Sequence, residues 1–214
     1  RAAKYQGLSL SATDGIKRLN LRDAFEGSHK GHDEHEHGHD ASVFDPHAWH
    51  SFESVEIYVL NILHALQRVD EEHSAVYQEN ARLYLEKVTA AKKMFDKLMA
   101  AIPLNHRHIV VPHNAFAYLA RDYDLHIHSL QGLSTEAEAS AADIAQVIRQ
   151  IRAFNIQAIF TENISDDRLI KLVKQETDAQ MGGALISGAL SRDLAPTYLS
   201  MMTYNLNMIV QALK

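Results

Sequence analysis

The chain has 214 residues, a formal net charge of −6 and no cysteine. That length can bury a core as one domain or as two small ones. The acidic balance, with its basic residues scattered, argues against a nucleic-acid partner. The lack of cysteine excludes disulfides, thiolate metal sites and a cysteine nucleophile. No apolar run in the sequence reaches the roughly 18 residues that a membrane span needs.

The chain opens on a short segment, LSLSATDGIKRL, at residues 8–19. Its alternation of apolar and polar residues predicts a brief strand followed by a turn. Arg1 is not a start residue and no signal-peptide pattern precedes the segment, so we expect upstream sequence to be missing. We interpret residues 1–69 as the remainder of an N-terminal lobe.

Histidine is the unusual component, at 14 of the 214 residues. Five histidines fall within residues 28–40, interleaved with Asp and Glu in a composition typical of a solvated, disordered loop. Imidazole nitrogen suits zinc, copper and nickel. A mobile loop of this kind would bind metal weakly and reversibly, because ordering it costs entropy. The candidate accessory ligands are His29, His32, His35, His37 and His39.

Two helices follow the loop. Apolar residues at every third or fourth position predict one helix from Ser51, and the same spacing from Tyr77 to Leu98 predicts a second. The second would be about 40 Å long at roughly 1.5 Å per residue. Its repeat spans about three heptads, so a coiled-coil dimer is an alternative. A helix packed along its own protein is favoured, and we assign residues 70–101 to it and expect a monomer.

After Pro103 the pattern changes to alternating strands and helices. Ser140 and Asp143 have the spacing of a capping box at the start of one helix. The predicted strands are HIVVP, DLHIHSL, IQAIF and GALIS, and the predicted helices are NAFAYLARDY, SAADIAQVIRQIRAF, DDRLIKLVKQET and TYLSMMTYNLNMIVQAL. Strands separated by helices of this length predict βαβ units and a parallel sheet. Residues 102–214 are therefore predicted to form a complete α/β lobe.

Several polar residues occupy positions where such a lobe binds ligands, beyond the carboxyl ends of its strands. His113 follows the first predicted strand, Glu162 follows the third, and Gly188 lies in the turn after the fourth. In the first segment the matching candidate is His47, within DPHAW. Each histidine also has a structural interpretation, as a capping or packing residue at position 47 and as a hydrogen-bonded strand-end residue at position 113.

Other candidates are weaker. His126 and His128 alternate on one strand face and are interpreted as structural or surface groups, while His64 and His73 lack a histidine partner four residues on. No HExxH, G-x-S-x-G, P-loop or G-x-G-x-x-G motif occurs. A zinc-dependent hydrolase with Glu162 as general base is therefore a disfavoured hypothesis, and we predict that the chain is not an enzyme.

Four stretches carry a resemblance to one family: DPHAW, VPHNAFAYLARDYDL, IFTEN and APTYLSMMTYNLNMIVQAL. They resemble the metal-binding solute receptors of zinc and manganese ABC transporters. The motifs occur in the family's order, and the likeness extends from LSLSATDGI to the C-terminus. It implies two Rossmann-like α/β lobes joined by a long rigid helix. Residues 70–101 would be that interlobe helix, and the first lobe would be incomplete.

The resemblance also implies a set of metal ligands. In that family the His of DPHxW and the His of HNAFxY bind the metal, which carries over to His47 and His113. A third His would precede Arg1, and the fourth ligand is usually an Asp in a YSDSLS-like stretch. The corresponding LISGALSRD has Gly188 at that position. Water, Asp193 or a loop histidine would then complete the shell, or the chain is a receptor with weakened binding.

The implied function is capture of zinc between two lobes and its delivery to the permease of an ABC importer. The implied location is the periplasm, or the extracellular face through a lipid anchor in a Gram-positive cell, and a metallochaperone is a further candidate partner. Zinc is favoured over manganese because imidazole suits zinc. In addition, zinc members often carry a His/Asp-rich loop, and manganese members tend to have Glu at the position of His113. The alternative is a zinc buffer or adhesin-like surface protein in which the loop dominates.

Overall fold

The computed structural model describes residues 7–20, 44–132 and 139–214. Within those ranges the chain forms six α-helices and one sheet of four strands. The helices are α1 (Phe52–Val69), α2 (Ser74–Ala100), α3 (Ala117–Tyr123), α4 (Ala141–Phe154), α5 (Arg168–Gln175) and α6 (Tyr198–Leu213). The strands are β1 (His108–His113), β2 (His126–Gln131), β3 (Ala158–Glu162) and β4 (Gln180–Leu185). None of the described helices is long and apolar enough to cross a membrane.

The sheet has the order β2-β1-β3-β4, and every neighbouring pair is parallel. From β1 the chain steps outward to β2 and then returns past β1 to β3 and β4. The direction of winding therefore reverses between β1 and β3, which is the position where open α/β sheets bind ligands. The predicted α/β class and parallel sheet are confirmed.

Helices cover both faces of this sheet, so its central strands are buried on two sides. Along β1, Ile109 and Val111 face the core formed with α2, α3 and α6. Val110, between them, faces the core formed with α4 and α5. This alternation follows from the two-residue period of a strand, and it holds the carboxyl end of β1 in place between two packed layers.

The predicted long helix is confirmed as α2, which runs for 27 residues and about 40 Å. Its buried side chains lie at steps of seven, seven and four residues, which places them on one stripe: Ala81, Val88, Phe95 and Met99. α1 and α6 pack against this helix. The division of the chain into two lobes at this helix remains a prediction.

The strand predicted for residues 8–11 is wrong. The segment is irregular and its two leucines are exposed, so the alternation buries neither side chain. The turn that follows is present, and the side-chain amide of Asn61 on α1 donates to the carbonyls of Ala12 and Asp14, at 2.9 Å each. The segment is therefore held by a helix side chain instead of by strand pairing.

Hydrogen bonds decide where two of the helices begin. The predicted capping box between Ser140 and Asp143 is confirmed at the start of α4. The helix predicted from Asn114 begins only at Ala117. The main-chain N–H of Asn114 donates to the carbonyl of Gly132, which extends the sheet hydrogen bonding beyond β1. The delay leaves residues 114–116 as a connection between the end of β1 and α3.

Candidate metal centre

His113 is the last residue of β1, and its side chain is buried. Glu162, the last residue of the neighbouring β3, lies beside it. Glu162 Oε1 accepts the main-chain N–H of His113 at 3.2 Å, and Oε2 lies 2.6 Å from Nδ1 of the ring. That second approach is an ion-pair contact that does not meet hydrogen-bond geometry.

Glu162 is itself held by the turn that follows β4. Its Oε2 accepts a hydrogen bond from Oγ of Ser187 at 2.6 Å. The amide of Ser187 donates to Oδ1 of Asn163, and Nδ2 of Asn163 donates to the carbonyl of Ala189. Both carboxylate oxygens of this buried residue are therefore engaged. The Glu162 side chain has no exposed surface, so the geometry gives the hydrolase hypothesis no support.

His47 is oriented by a second buried carboxylate, Asp45. One oxygen, Oδ1, accepts the main-chain N–H of His47 and lies 2.8 Å from Nδ1 of its ring. This is an Asx-turn across Pro46, in which the side chain closes the turn that a backbone carbonyl would otherwise close. The hydroxyl of Tyr118, a fully buried residue of α3, donates to the Asp45 carbonyl at 3.0 Å and anchors the turn.

The fold brings the two predicted histidines together. Their ring centroids are 5.4 Å apart and their planes are inclined by 69°. Trp49 packs against His47 with a centroid distance of 5.2 Å, and its Nε1 donates to the carbonyl of Ser187 at 3.0 Å. The DPHAW segment is thereby joined to the end of β1 and to the turn after β4. We refer to His47, His113, Asp45 and Glu162 as the carboxyl-end centre.

The chemistry of this centre follows from where the carboxylates lie. A carboxylate at Nδ1 leaves Nε2 of the same ring as the nitrogen available to a metal, and it fixes the ring and raises its basicity. Buried carboxylates are costly unless they are paired, and within the described residues the ion pairs of Asp45 and Glu162 are made with histidine. The centre is therefore electrostatically suited to a cation.

The described residues provide two nitrogen donors at this centre and no complete metal site. No group of three His, Asp or Glu among them is arranged to hold an ion. Gly188 lies in the exposed turn after β4, next to Ser187. A Cβ built at Gly188 would meet Cδ1 of Ile164 at 2.8 Å. That atom ends a flexible side chain, so a larger residue would fit once the methyl group moved. Asp193 is exposed.

Sequence reasoning missed Asp45, Ser187 and His50. The His50 side chain is buried and packs on Phe116 with a centroid distance of 4.6 Å. Neither ring nitrogen has a hydrogen-bond partner of good geometry within the described structure. Burial lowers the pKa of His50 to about 3, the neighbouring His47 contributes to the lowering, and the nearby Ser187 backbone opposes part of it. Asp45 had a usable signal, since an Asp followed by Pro favours a turn in which the Asp side chain bonds the backbone two residues on. His50 had none beyond its place three residues after His47.

The other candidate histidines of the sequence fall into three groups. Those of residues 28–40 lie outside the described residues. His64 is exposed, and His73 contacts Asp70 at 2.9 Å. His126 is exposed but His128 is buried, and both contact a further histidine of β1 at the opposite end of that strand from His113.

Comparison with known proteins gives the chain a family. The family model for the periplasmic zinc-uptake complex component A, ZnuA, matches residues 3–212. The iron-binding protein YfeA of Yersinia pestis is 32% identical over 205 residues, which cover 95% of this chain and 61% of that protein. The manganese-binding lipoprotein MntA of Bacillus subtilis is 30% identical over 183 residues, covering 82% of this chain and 60% of that protein. The chain thus spans about three fifths of the length of these relatives.

Solved structures agree. The manganese-bound periplasmic metal binding protein from candidatus liberibacter asiaticus is 29% identical, with a TM-score of 0.79 over 96% of this chain and 71% of its own. The periplasmic zinc binding protein TroA from Treponema pallidum is 26% identical, with a TM-score of 0.77 over 83% of this chain and 66% of its own. The predicted receptor fold is confirmed, and the chain belongs to the ZnuA family of metal-binding solute receptors.

Proposed function

We propose that this chain binds a divalent metal as cargo, through Nε2 of His47 and Nε2 of His113, and delivers it to the permease of an ABC importer without catalysing a reaction. Relatives named as substrate-binding lipoproteins of metal ABC transporters support the permease partner. The periplasmic family model and the lipoprotein relatives support a location outside the cytoplasmic membrane, in the periplasm or on a lipid anchor.

One observation carries this proposal: two imidazoles with centroids 5.4 Å apart, each with a buried carboxylate at Nδ1. Carboxylate–histidine pairs of this kind orient metal-binding histidines and tune their affinity. The exposed His64 on α1 provides the contrast, because it has no such partner among the described residues. The two oriented histidines lie where the winding of the sheet reverses between β1 and β3, which is the position where open α/β sheets bind ligands.

We propose zinc as the cargo. The relatives are named for iron, manganese and zinc, so membership of the family does not choose among these ions. The donor set supports zinc, because imidazole nitrogen suits zinc whereas manganese favours carboxylate oxygen. Water, or a histidine of the loop at residues 28–40, would fill the remaining positions. That loop would then gather metal for the centre.

A zinc titration with a competing chelator tests the proposal. The protein would first be stripped of metal, and binding to the loop would be removed by five His→Ser substitutions, which define the loop-substituted chain. The substituted residues are His29, His32, His35, His37 and His39. We expect its tightest zinc site to be lost in His113→Ala and kept in the matched control His64→Ala.

Two further arms sharpen this titration. Manganese should compete poorly with zinc for the tight site. Zinc competes with protons for imidazole, so the affinity should fall between about pH 7.5 and about pH 5.5. A tight site that survives His113→Ala, or a zinc affinity unchanged over that pH range, would remove the basis for this ligand assignment.

A further inference from the structure

A second group of histidines lies at the amino end of β1, at the opposite end of the strand from His113. His108 begins β1, and its neighbours on β2 are His126, directly opposite in the ladder, and His128, two residues on. His113 lies five positions after His108 on the strand, which is about 16 Å at roughly 3.3 Å per residue. This amino-end cluster of His108, His126 and His128 is therefore a separate centre.

Two nitrogens of the cluster converge. Nδ1 of His108 lies 3.1 Å from Nε2 of His128. In the metal-free protein that distance fits an N–H···N hydrogen bond between two neutral rings. Two histidine ligands of a tetrahedral zinc ion, each at about 2.0–2.1 Å, have nitrogens about 3.3 Å apart. Replacing the shared proton by a metal therefore requires the two rings to separate by a few tenths of an ångström and to tilt until both nitrogen lone pairs point at the ion.

Packing holds these two rings in place. Phe154, the last residue of α4, stacks on His108 with centroids 5.1 Å apart and planes 13° apart, and it also contacts His128 at 5.6 Å. His128 is 8% exposed, and its Nδ1 has no hydrogen-bond partner of good geometry in the described structure. Burial lowers the pKa of His128 to about 4, and a hydrogen-bonding contact with the side chain of Gln150 opposes part of this lowering. Packing on Phe154 thus holds the two rings with Nδ1 of His108 facing Nε2 of His128.

A third nitrogen is close by. The ring of His126 stacks on that of His108, with centroids 4.3 Å apart and planes inclined by 15°. His126 is exposed, so its ring is free to rotate without disturbing the core. That rotation is required, because no three such residues in the described ranges are already arranged around one point. A cavity of about 130 Å³ lies beside His108 and is lined in part by His106 and Phe154.

We propose that His108 and His128, completed by His126, form a second metal site that takes borderline ions such as zinc, copper(II) or nickel(II). The donors are nitrogens alone, and no ion pair of the described residues brings a carboxylate to any of the three. Manganese, magnesium and calcium favour oxygen ligands. The site is therefore selective against them.

Zinc titration calorimetry on the loop-substituted chain tests this site, with three further variants made in that chain. His128→Leu replaces a buried ring by an apolar side chain next to Phe154, and His126→Asn changes an exposed residue that contributes little to folding. His64→Ala is the matched control. We expect a second zinc-binding event that is absent in His128→Leu, weakened by at least about tenfold in His126→Asn, and unchanged in His64→Ala. Manganese should give no such event.

The outcome is independent of the carboxyl-end centre. In His113→Ala the amino-end event should persist even if all other zinc binding is lost. Urea unfolding of the metal-free variants checks that each one folds. A second event that survives both His128→Leu and His126→Asn, the absence of any second event, or equally strong binding of manganese would overturn the assignment.

Discussion

The two ends of β1 carry histidine centres of opposite character. At the carboxyl end, His47 and His113 each contact a buried carboxylate through Nδ1. At the amino end, His108 and His128 contact each other. The first arrangement adds negative charge and fixes which nitrogen faces a ligand. The second adds no charge and leaves a hydrogen bond that a metal must replace. Histidine is thus paired with carboxylates at the carboxyl end of β1 and hydrogen-bonded to another histidine at the amino end.

The buried carboxylates, more than the histidines, distinguish the carboxyl-end centre from the amino-end cluster. Asp45 and Glu162 place acidic groups in a buried position within 2.8 Å of the two rings, which favours a bound cation. We therefore expect the carboxyl-end centre to bind zinc more tightly than the amino-end cluster, although the cluster has as many converging nitrogens.

The largest expected effect concerns buried histidines with a lowered pKa, which are His50 near the carboxyl end of β1 and His128 at the amino end. His50 has a pKa of about 3 in the folded protein, against an ordinary value of 6.5. Between these values the unfolded chain binds a proton that the folded chain does not, so the free energy of unfolding falls as the pH drops below 6.5. His50→Leu removes this loss along with two buried nitrogens that have no hydrogen-bond partner of good geometry in the described structure.

We expect His50→Leu to raise the free energy of unfolding of the metal-free protein by about 2 kcal/mol at neutral pH. The gain should grow by about 2 kcal/mol more at pH 5, at roughly 1.4 kcal/mol per pH unit. Urea unfolding at the two pH values measures both quantities. An equal gain at both would mean that His50 has a partner in solution that keeps its pKa ordinary.

The next effect is on zinc affinity. Glu162→Gln keeps the shape of the side chain but removes the charge beside His113, so we expect zinc binding at the carboxyl-end centre to weaken by about 10- to 100-fold. The matched control is Asp166→Asn, a nearby exposed carboxylate that pairs with Arg168. Chelator competition measures both. The amino-end event should not change, and if it weakens equally, the two centres are not separate.

Gly188→Asp should act in the opposite direction. The substitution adds a carboxylate in the turn after β4, where only the flexible end of Ile164 must move. We expect zinc affinity to rise by about tenfold, or about 1.4 kcal/mol. Manganese affinity should rise by more, because oxygen suits manganese. Gly188→Asn is the control for shape without charge, and equal gains from the two variants would argue against direct ligation.

The smallest effect should come from Ser187→Ala. It removes the hydrogen bond that Oγ donates to Oε2 of Glu162, while the contact of Glu162 with His113 remains. A hydrogen bond to a charged group contributes about 1.5–3 kcal/mol. Because Ser187 would act on zinc only through Glu162 and His113, only part of this energy affects zinc binding. We therefore expect zinc affinity to fall by about fivefold, or about 1 kcal/mol. A loss as large as that in Glu162→Gln would make Ser187 the principal support of the centre.

Much of this could be predicted from the sequence, because the relevant signals are local. The period of apolar residues located α2, and Ser140 with Asp143 located the start of α4. Because parallel strands end at one edge of a sheet, the sequence alone places His113 and Glu162 at the same edge. His47 came from the motif DPHAW alone, and its distance from His113 could be known only once the fold was in hand.

The rest depends on tertiary contacts that no local pattern records. Asn114 bonds to Gly132 across the sheet, which delays α3 until Ala117. The leucines of residues 8–11 alternate as in a strand, but their segment is anchored by Asn61 instead. The contact between His108 and His128 requires β1 and β2 to be paired in one register, and a shift by one residue would separate them.

The central claim is that the Nε2 atoms of His47 and His113 bind the same ion. A crystal structure of the zinc-soaked, loop-substituted chain, with anomalous data collected at the zinc edge, tests it most directly. We expect one zinc peak about 2.0–2.1 Å from both Nε2 atoms, with Asp45 and Glu162 still at Nδ1. A zinc peak elsewhere with none between these two rings, or zinc bound through Nδ1, would contradict it.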